Sequence, residues 1–292
     1  LLLWLSFALK QRYHWGAESY YNYGWAVPVV AFALIYLRWR DAPAPEPGGG
    51  PLRFVLGAIA GGALLFMLPL RLFNEVSVFW RVPFMLQGWL LVLVSWIATW
   101  MLGGRRWWLH FWFPLLFLLT MVPWPYRIEI KLIQGLTHFV TATAVELLGW
   151  LGYPAEVRGN TILIGSQWLG VDKACSGIRS LQALTMVSLW LGEYFRLRLG
   201  TRAVVVFGAV FLTGFFNLLR ALGLTLFTYH GGEEAYEKWH DPLGYITFLT
   251  SILLLYFLCE WLGGKKGHHQ VRTETAKAGP GWNQLGKTGK GL

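Results

Sequence analysis

The sequence predicts an all-α polytopic membrane protein of about eight transmembrane helices, with an outer interfacial helix and a short β-hairpin before the sixth span. Three observations predict it. The 292 residues are 55% hydrophobic and 14% charged, with a mean hydropathy of +0.44, which is too apolar for an ordinary soluble domain. Apolar stretches close to the roughly 20 residues that a helix needs to cross a hydrocarbon core recur along the chain. The Lys and Arg between them are unevenly shared among alternate connections.

Leu1–Leu9 is shorter than a span and reads as the clipped end of a first one, which leaves a signal peptide open. The others are Tyr23–Leu37, Phe54–Leu70, Val82–Leu102, Trp107–Val122, Gly177–Phe195, Ala203–Phe227 and Leu243–Leu262. Interior residues such as Gly61, Gly62 and Pro114 are ordinary in membrane helices. Trp and Tyr crowd the segment ends, as an interfacial belt requires. If the spans alternate, the connections Arg38–Arg53, Gly103–Arg106, Glu193–Arg202 and the tail from Glu260 share one side and carry 14 of the 25 Lys/Arg. The opposite connections carry 9, and Arg179 and Arg220 lie within spans. The richer side is expected in the cytoplasm, with both termini inside and the longest loop, Trp124–Cys175, outside. The net charge of +10 is then a matter of sidedness and lipid contact, not of nucleic acid.

Within the outer loop, apolar residues from Arg127 to Trp150 recur every three or four positions (Ile130, Ile133, Leu136, Val140, Val145, Leu148), as in a helix lying on the interface. Glu156–Val171 alternates and turns around Gly159, Asn160 and Gly165, which fits a short hairpin. Ala42–Pro51 is a Pro/Gly-rich cytoplasmic connector whose Pro45-Glu46-Pro47 reads as coincidence. The membrane domain is expected to occupy residues 1–262, and residues 263–292 a disordered basic tail whose His268 and His269 are not read as a metal site. No metal or cofactor is expected. Two cysteines make no disulfide framework, and Cys259 is placed a bilayer's thickness of roughly 30 Å from Cys175.

Three stretches carry chemistry. In Val171-Asp172-Lys173-Ala174-Cys175-Ser176-Gly177-Ile178-Arg179-Ser180-Leu181, a cysteine stands at the outer N-terminus of a membrane helix, where the helix dipole favours a thiolate. Arg179 follows at i+4 and adds a cation. Packing of Cys175 and snorkelling of Arg179 are the plainer alternative. In Phe215-Phe216-Asn217-Leu218-Leu219-Arg220, a charge sits inside an apolar segment, with Asn217 on its face at i−3. Bonding between helices is the alternative there. In Trp239-His240-Asp241-Pro242-Leu243-Gly244, an imidazole closes an acidic outer loop (Glu233, Glu234, Glu237) at the start of the last span. His14, His110, His138 and His230 carry no such company. Charge counting alone brings Cys175, Arg220 and His240 to one face of the membrane.

In that order and spacing, Ala-Cys-Ser-Gly-Ile-Arg-Ser-Leu, Phe-Asn-Leu-Leu-Arg and the His near the last helix resemble the exosortase/archaeosortase family of bacterial and archaeal membrane enzymes. Tyr20-Tyr21-Asn22-Tyr23-Gly24-Trp25 and Val27-Pro28 extend the resemblance, which covers about residues 15 to 262. It implies that Cys175 is a nucleophile, Arg220 a catalytic arginine and His240 a proton-transfer residue, in a multi-pass enzyme of the bacterial inner membrane with its site on the periplasmic face. The implied substrates are exported proteins ending in a sorting signal: a short motif such as Pro-Glu-Pro, a transmembrane helix and a basic cluster. Arg179 and Asn217 are assigned to support of the thiolate and of Arg220, and Asp172 and Asp241 to orienting His240. Other readings are a transporter or channel with an Arg/Asn-lined path, and a lipid or acyl transferase using Cys175.

Overall fold

A computed structural model describes residues 2–17, 19–46, 49–77, 79–159, 161–170 and 177–277. The helices are α1 (Leu2–Ala17), α2 (Ala26–Arg40, preceded by a 3-10 turn Ser19–Trp25), α3 (Leu52–Val76), α4 (Arg81–Phe117), α5 (Tyr126–Trp150), α6 (Ile178–Tyr194) and α7 (Leu199–Lys277). By length and composition, three helices among the described residues can cross a membrane: Leu52–Val76, Arg81–Met121 and Leu199–Gly263.

Two of those three are folded back on themselves. Helix α4 breaks at Gly104 and α7 at Gly232, each with a positive φ that an L side chain rarely adopts. Their arms pair antiparallel. In α4, Trp96 Nε1 donates to the Trp112 carbonyl, and Gly88 packs on Leu119 and Val122. In α7, Gly208 packs on Leu258, Gly223 on Leu243, and Gly244 under Arg220. The same reading extends to α1, which runs antiparallel to the first arm of α4: Trp4 Nε1 donates to Ser95 Oγ, and the His14 ring meets Phe84. Helix α2 runs against the second arm of α4, with Tyr23 donating to the Thr120 carbonyl and Trp39 meeting Trp107. Each apolar stretch foreseen in the sequence thus falls on a separate helical arm, and the arm pairs named above run antiparallel. Outward-facing Phe54, Leu65, Leu68 and Leu72 of α3 are each more than half exposed, a surface suited to lipid and not to water.

The polar connections collect at two opposite ends. At the basic end, Glu193 pairs with Arg38 and with Arg202 (2.6 Å), Arg196 pairs with Asp41, and Glu46 pairs with Arg106 (2.6 Å). The connector after α2 is strapped there, as Trp107 Nε1 donates to the Pro43 carbonyl and the Glu46 amide to that of Gly103. Glu46, the centre of Pro45-Glu46-Pro47, is therefore committed to this strap.

Three expectations change. The first helix does not end at Leu9 but continues to Ala17, because Gln11, His14 and Trp15 bury their side chains against neighbouring helices. The segment after α5 is a three-stranded antiparallel sheet in the order β1-β2-β3 (Ala155–Arg158, Thr161–Ile164, Gln167–Gly170), since Gly165, with a φ of 60°, makes a second reversal after the one at Gly159. Ile162, Ile164 and Leu169 are buried, and Ile162 and Leu169 pack with Ala144 of α5 near Leu218 and Leu222 of α7. The acidic stretch around Glu233, Glu234 and Glu237 is helical, not a loop. It opens the second arm of α7, where carboxylates complement the dipole of a helix N-terminus.

Candidate functional site

At the end opposite the basic one, α7 supplies most of the site from its own two arms. Thr213, Asn217 and Arg220 recur at i, i+4 and i+7 on the first arm, and Gly244, Thr247 and Ser251 at i, i+3 and i+7 on the second. Antiparallel pairing sets Arg220 against His240 and Gly244. Arg220 Nη2 donates to His240 Nε2 at 2.9 Å and to the His240 carbonyl at 3.3 Å. A Cβ at position 244 would lie 3.4 Å from the guanidinium, so a glycine lets the cation lie on the second arm.

The tautomer of His240 follows from its partners. A guanidinium only donates, so Nε2 accepts and the ring proton sits on Nδ1, 2.9 Å from Asp241 Oδ1. The imidazole is neutral in this arrangement. The Tyr236 ring flanks it at 5.3 Å, and Trp239 stacks on Phe227 at 5.0 Å, tying the two arms together. Arg220 has no carboxylate within ion-pair distance among the described residues.

Asn217 links this chain of groups to the start of α6. Gly177 precedes that helix with a φ of 82°, and a Cβ there would approach Asn217 Cγ and Nδ2 to 2.9 Å. Only glycine meets both conditions without strain. Cys175 and Asp172 lie outside the described residues; in the chain, Cys175 is two positions before Gly177. Arg179 is exposed on the first turn of α6, while Asn217 is buried beside Arg220 along one crevice. Among the described residues no group of His, Cys, Asp and Glu is arranged to hold a metal ion. Cys259 is a buried free thiol packed with Leu184, Leu191, Val205, Ala209 and Leu255.

Sequence reasoning missed a second polar centre at this end. Arg81 pairs with Glu129 at 2.7 Å, both almost wholly buried, and the Tyr21 hydroxyl donates to the same carboxylate while accepting from the Trp124 amide. Arg81 also donates to the Trp124 carbonyl and lies 5.5 Å from the Tyr21 ring centroid. The signal was present in the periodicity: the buried row of α5 is Glu129, Ile133, Thr137, Val140, Thr141, Ala144 and Leu148, so an acidic residue heads its inward face. Hydropathy alone points instead to Ile130, Leu136 and Val145.

Antiparallel apolar arms that gather an arginine, a neutral histidine and a carboxylate at one end define a polytopic membrane protein with a polar site at one end of the bundle. Residues 15–257 match the family described as Transmembrane exosortase (Exosortase_EpsH), and the chain belongs to that family. It is therefore a sorting-related membrane enzyme of a family of cysteine peptidases and transpeptidases. No curated protein and no solved structure matches the chain.

Proposed function

We propose that this protein cuts the C-terminal sorting signals of exported proteins on the outer face of the membrane, through a thioester on Cys175. Its eight helical arms cross the bilayer, with the basic end and both termini in the cytoplasm. The observation that carries the reading is the Arg220–His240–Asp241 chain of hydrogen bonds, joined through Asn217 to the residue that opens α6. Its placement opposite the basic end supports an outer location.

The chemistry follows from the residue types. Neutral His240 takes the thiol proton on Nε2, and Asp241 steadies the resulting imidazolium through Nδ1. Cys175 Sγ attacks the scissile carbonyl, and the Arg220 guanidinium, released from Nε2, stabilises the oxyanion in a site of low dielectric. The imidazolium then protonates the leaving amine. An acyl group remains on Cys175, to be resolved by water or by an acceptor amine.

Co-expression with a tagged exported protein ending in a Pro-Glu-Pro-type signal tests this. The tagged protein is expected to shorten with the wild-type enzyme and to stay full length with Cys175→Ala, at equal enzyme abundance. Shortening by the alanine variant would overturn the nucleophile. A transporter would keep its function without the thiol.

A further inference from the structure

Arg220 also borders a narrow crevice between α6 and the two arms of α7. Ser180, Thr213, Phe216, Asn217, Gly244, Thr247, Phe248 and Ser251 line it with Arg220. It has room for about one water. Arg220 Nε is buried and has no hydrogen-bond partner among the described residues. A buried guanidinium nitrogen without a partner is costly, so a small polar occupant is required to complete it.

The lining says what that occupant must offer. Thr213, Thr247 and Ser251 each donate their hydroxyl proton to a carbonyl four residues back in their own helix, at 2.7–2.8 Å. Only their oxygen lone pairs are left for the crevice. These three residues thus present acceptors, and Arg220 Nε presents a donor. Water satisfies both, whereas a bulky amine does not fit. The deep end carries Thr213 and Ser251, both almost fully buried. The shallow end is formed by Asn217 and Arg220, which touch Gly177 and His240.

Resting on the thioester reading above, we infer that this crevice holds the water that resolves the acyl-enzyme, and that Thr213 and Ser251 are positioning residues for hydrolysis. The water oxygen bonds the acyl carbon, and the C–S bond breaks with its electron pair staying on Cys175 Sγ. One water proton passes to His240 Nε2, and the other stays on the product carboxyl. Hydrolysis is thereby the built-in outcome of the second half-reaction.

The test is single-turnover cleavage by the full-length enzyme in water enriched in oxygen-18, with Thr213→Val, Ser251→Ala and the double variant beside the wild type. Each variant removes an acceptor with little change of volume. The wild-type product is expected to carry one heavy oxygen. The double variant is expected to form acyl-enzyme at the wild-type rate and release it about tenfold more slowly, so that the Cys175 adduct accumulates. Thr213→Ser restores release; if Thr213→Val lowers the yield of folded enzyme, Ser251→Ala alone carries the comparison. Unchanged release, or a wild-type product that carries an amine and no heavy oxygen, overturns the inference and leaves the thioester intact. Absence of any Cys175 adduct in wild type and variants alike, with cleavage still proceeding, overturns the thioester reading and the inference with it.

Discussion

Two buried or half-buried arginines at the same end of this bundle are treated in opposite ways. Arg81 meets a carboxylate, Glu129, at 2.7 Å and shares it with a tyrosine hydroxyl, so its charge is neutralised in place. Arg220 meets an imidazole that is neutral in this arrangement and a backbone carbonyl, and keeps one nitrogen without a partner among the described residues. A charge inside a membrane protein is costly unless it is paired or solvated. The fully paired arginine is explained by architecture: it ties α4, α5 and the turn before α2. The incompletely paired one keeps donor capacity unspent, and that supports the proposal that Arg220 serves the chemistry and Arg81 the scaffold.

The comparison can be broken from either side. Arg220→Ala is expected to lower cleavage of a sorting-signal substrate by about 10²–10³-fold with little change in thermal stability, as for the loss of an oxyanion donor. Arg220→Lys should remain strongly impaired, since one ammonium cannot reproduce the fork of donors. Glu129→Ala should behave the other way. Leaving Arg81 buried without the Glu129 carboxylate is expected to cost about 3–5 kcal/mol, read as a fall in the melting temperature of the detergent-purified enzyme. The double change Arg81→Met with Glu129→Leu should recover most of it. A stable Glu129→Ala protein that has lost activity would move this pair from the scaffold to the site.

A smaller effect is expected from Gly177→Ala, which forces a side chain into Asn217 at a positive φ, at a strain of about 1–3 kcal/mol. Cleavage is expected to fall roughly tenfold, and the added change Asn217→Ala should relieve the contact without restoring full rate. The smallest effect belongs to the basic end. The hydrogen bond from Arg196 holds the Asp41 carboxyl below its usual range. Its folded-state pKa is depressed, so any stability it adds is present at neutral pH and above the unfolded carboxylate value, and is lost as the pH falls through the folded value. Both side chains are exposed, and Arg196→Ala should leave the melting temperature and the cleavage rate unchanged at pH 7.

The positions of the helical arms were legible because hydropathy is summed over many residues, and no single position decides them. The meeting of Arg220 with His240 was partly legible: spacing put Asn217 and Arg220 on one face, and topology brought His240 to their level. What stayed hidden depended on single side chains. Glu129 heads an inward row that a hydropathy pattern scores as a break, and Arg81, at the edge of an apolar run, reads as an interfacial cation. The extension of α1 past Lys10 and Arg12 was hidden for the same reason, since polar residues that bury themselves against a neighbouring helix look like the end of a span.

The central claim is that the Arg220–His240 end works on an acyl group carried by Cys175. Acid-quenching the wild-type enzyme during turnover of a sorting-signal substrate, followed by mass analysis of the peptide that contains Cys175, tests it directly. The account predicts that this peptide gains the mass of the substrate's N-terminal product, that hydroxylamine removes it, and that His240→Ala greatly slows its appearance. Cleavage that continues with an unmodified Cys175, or an adduct found on Cys259 instead, would contradict it.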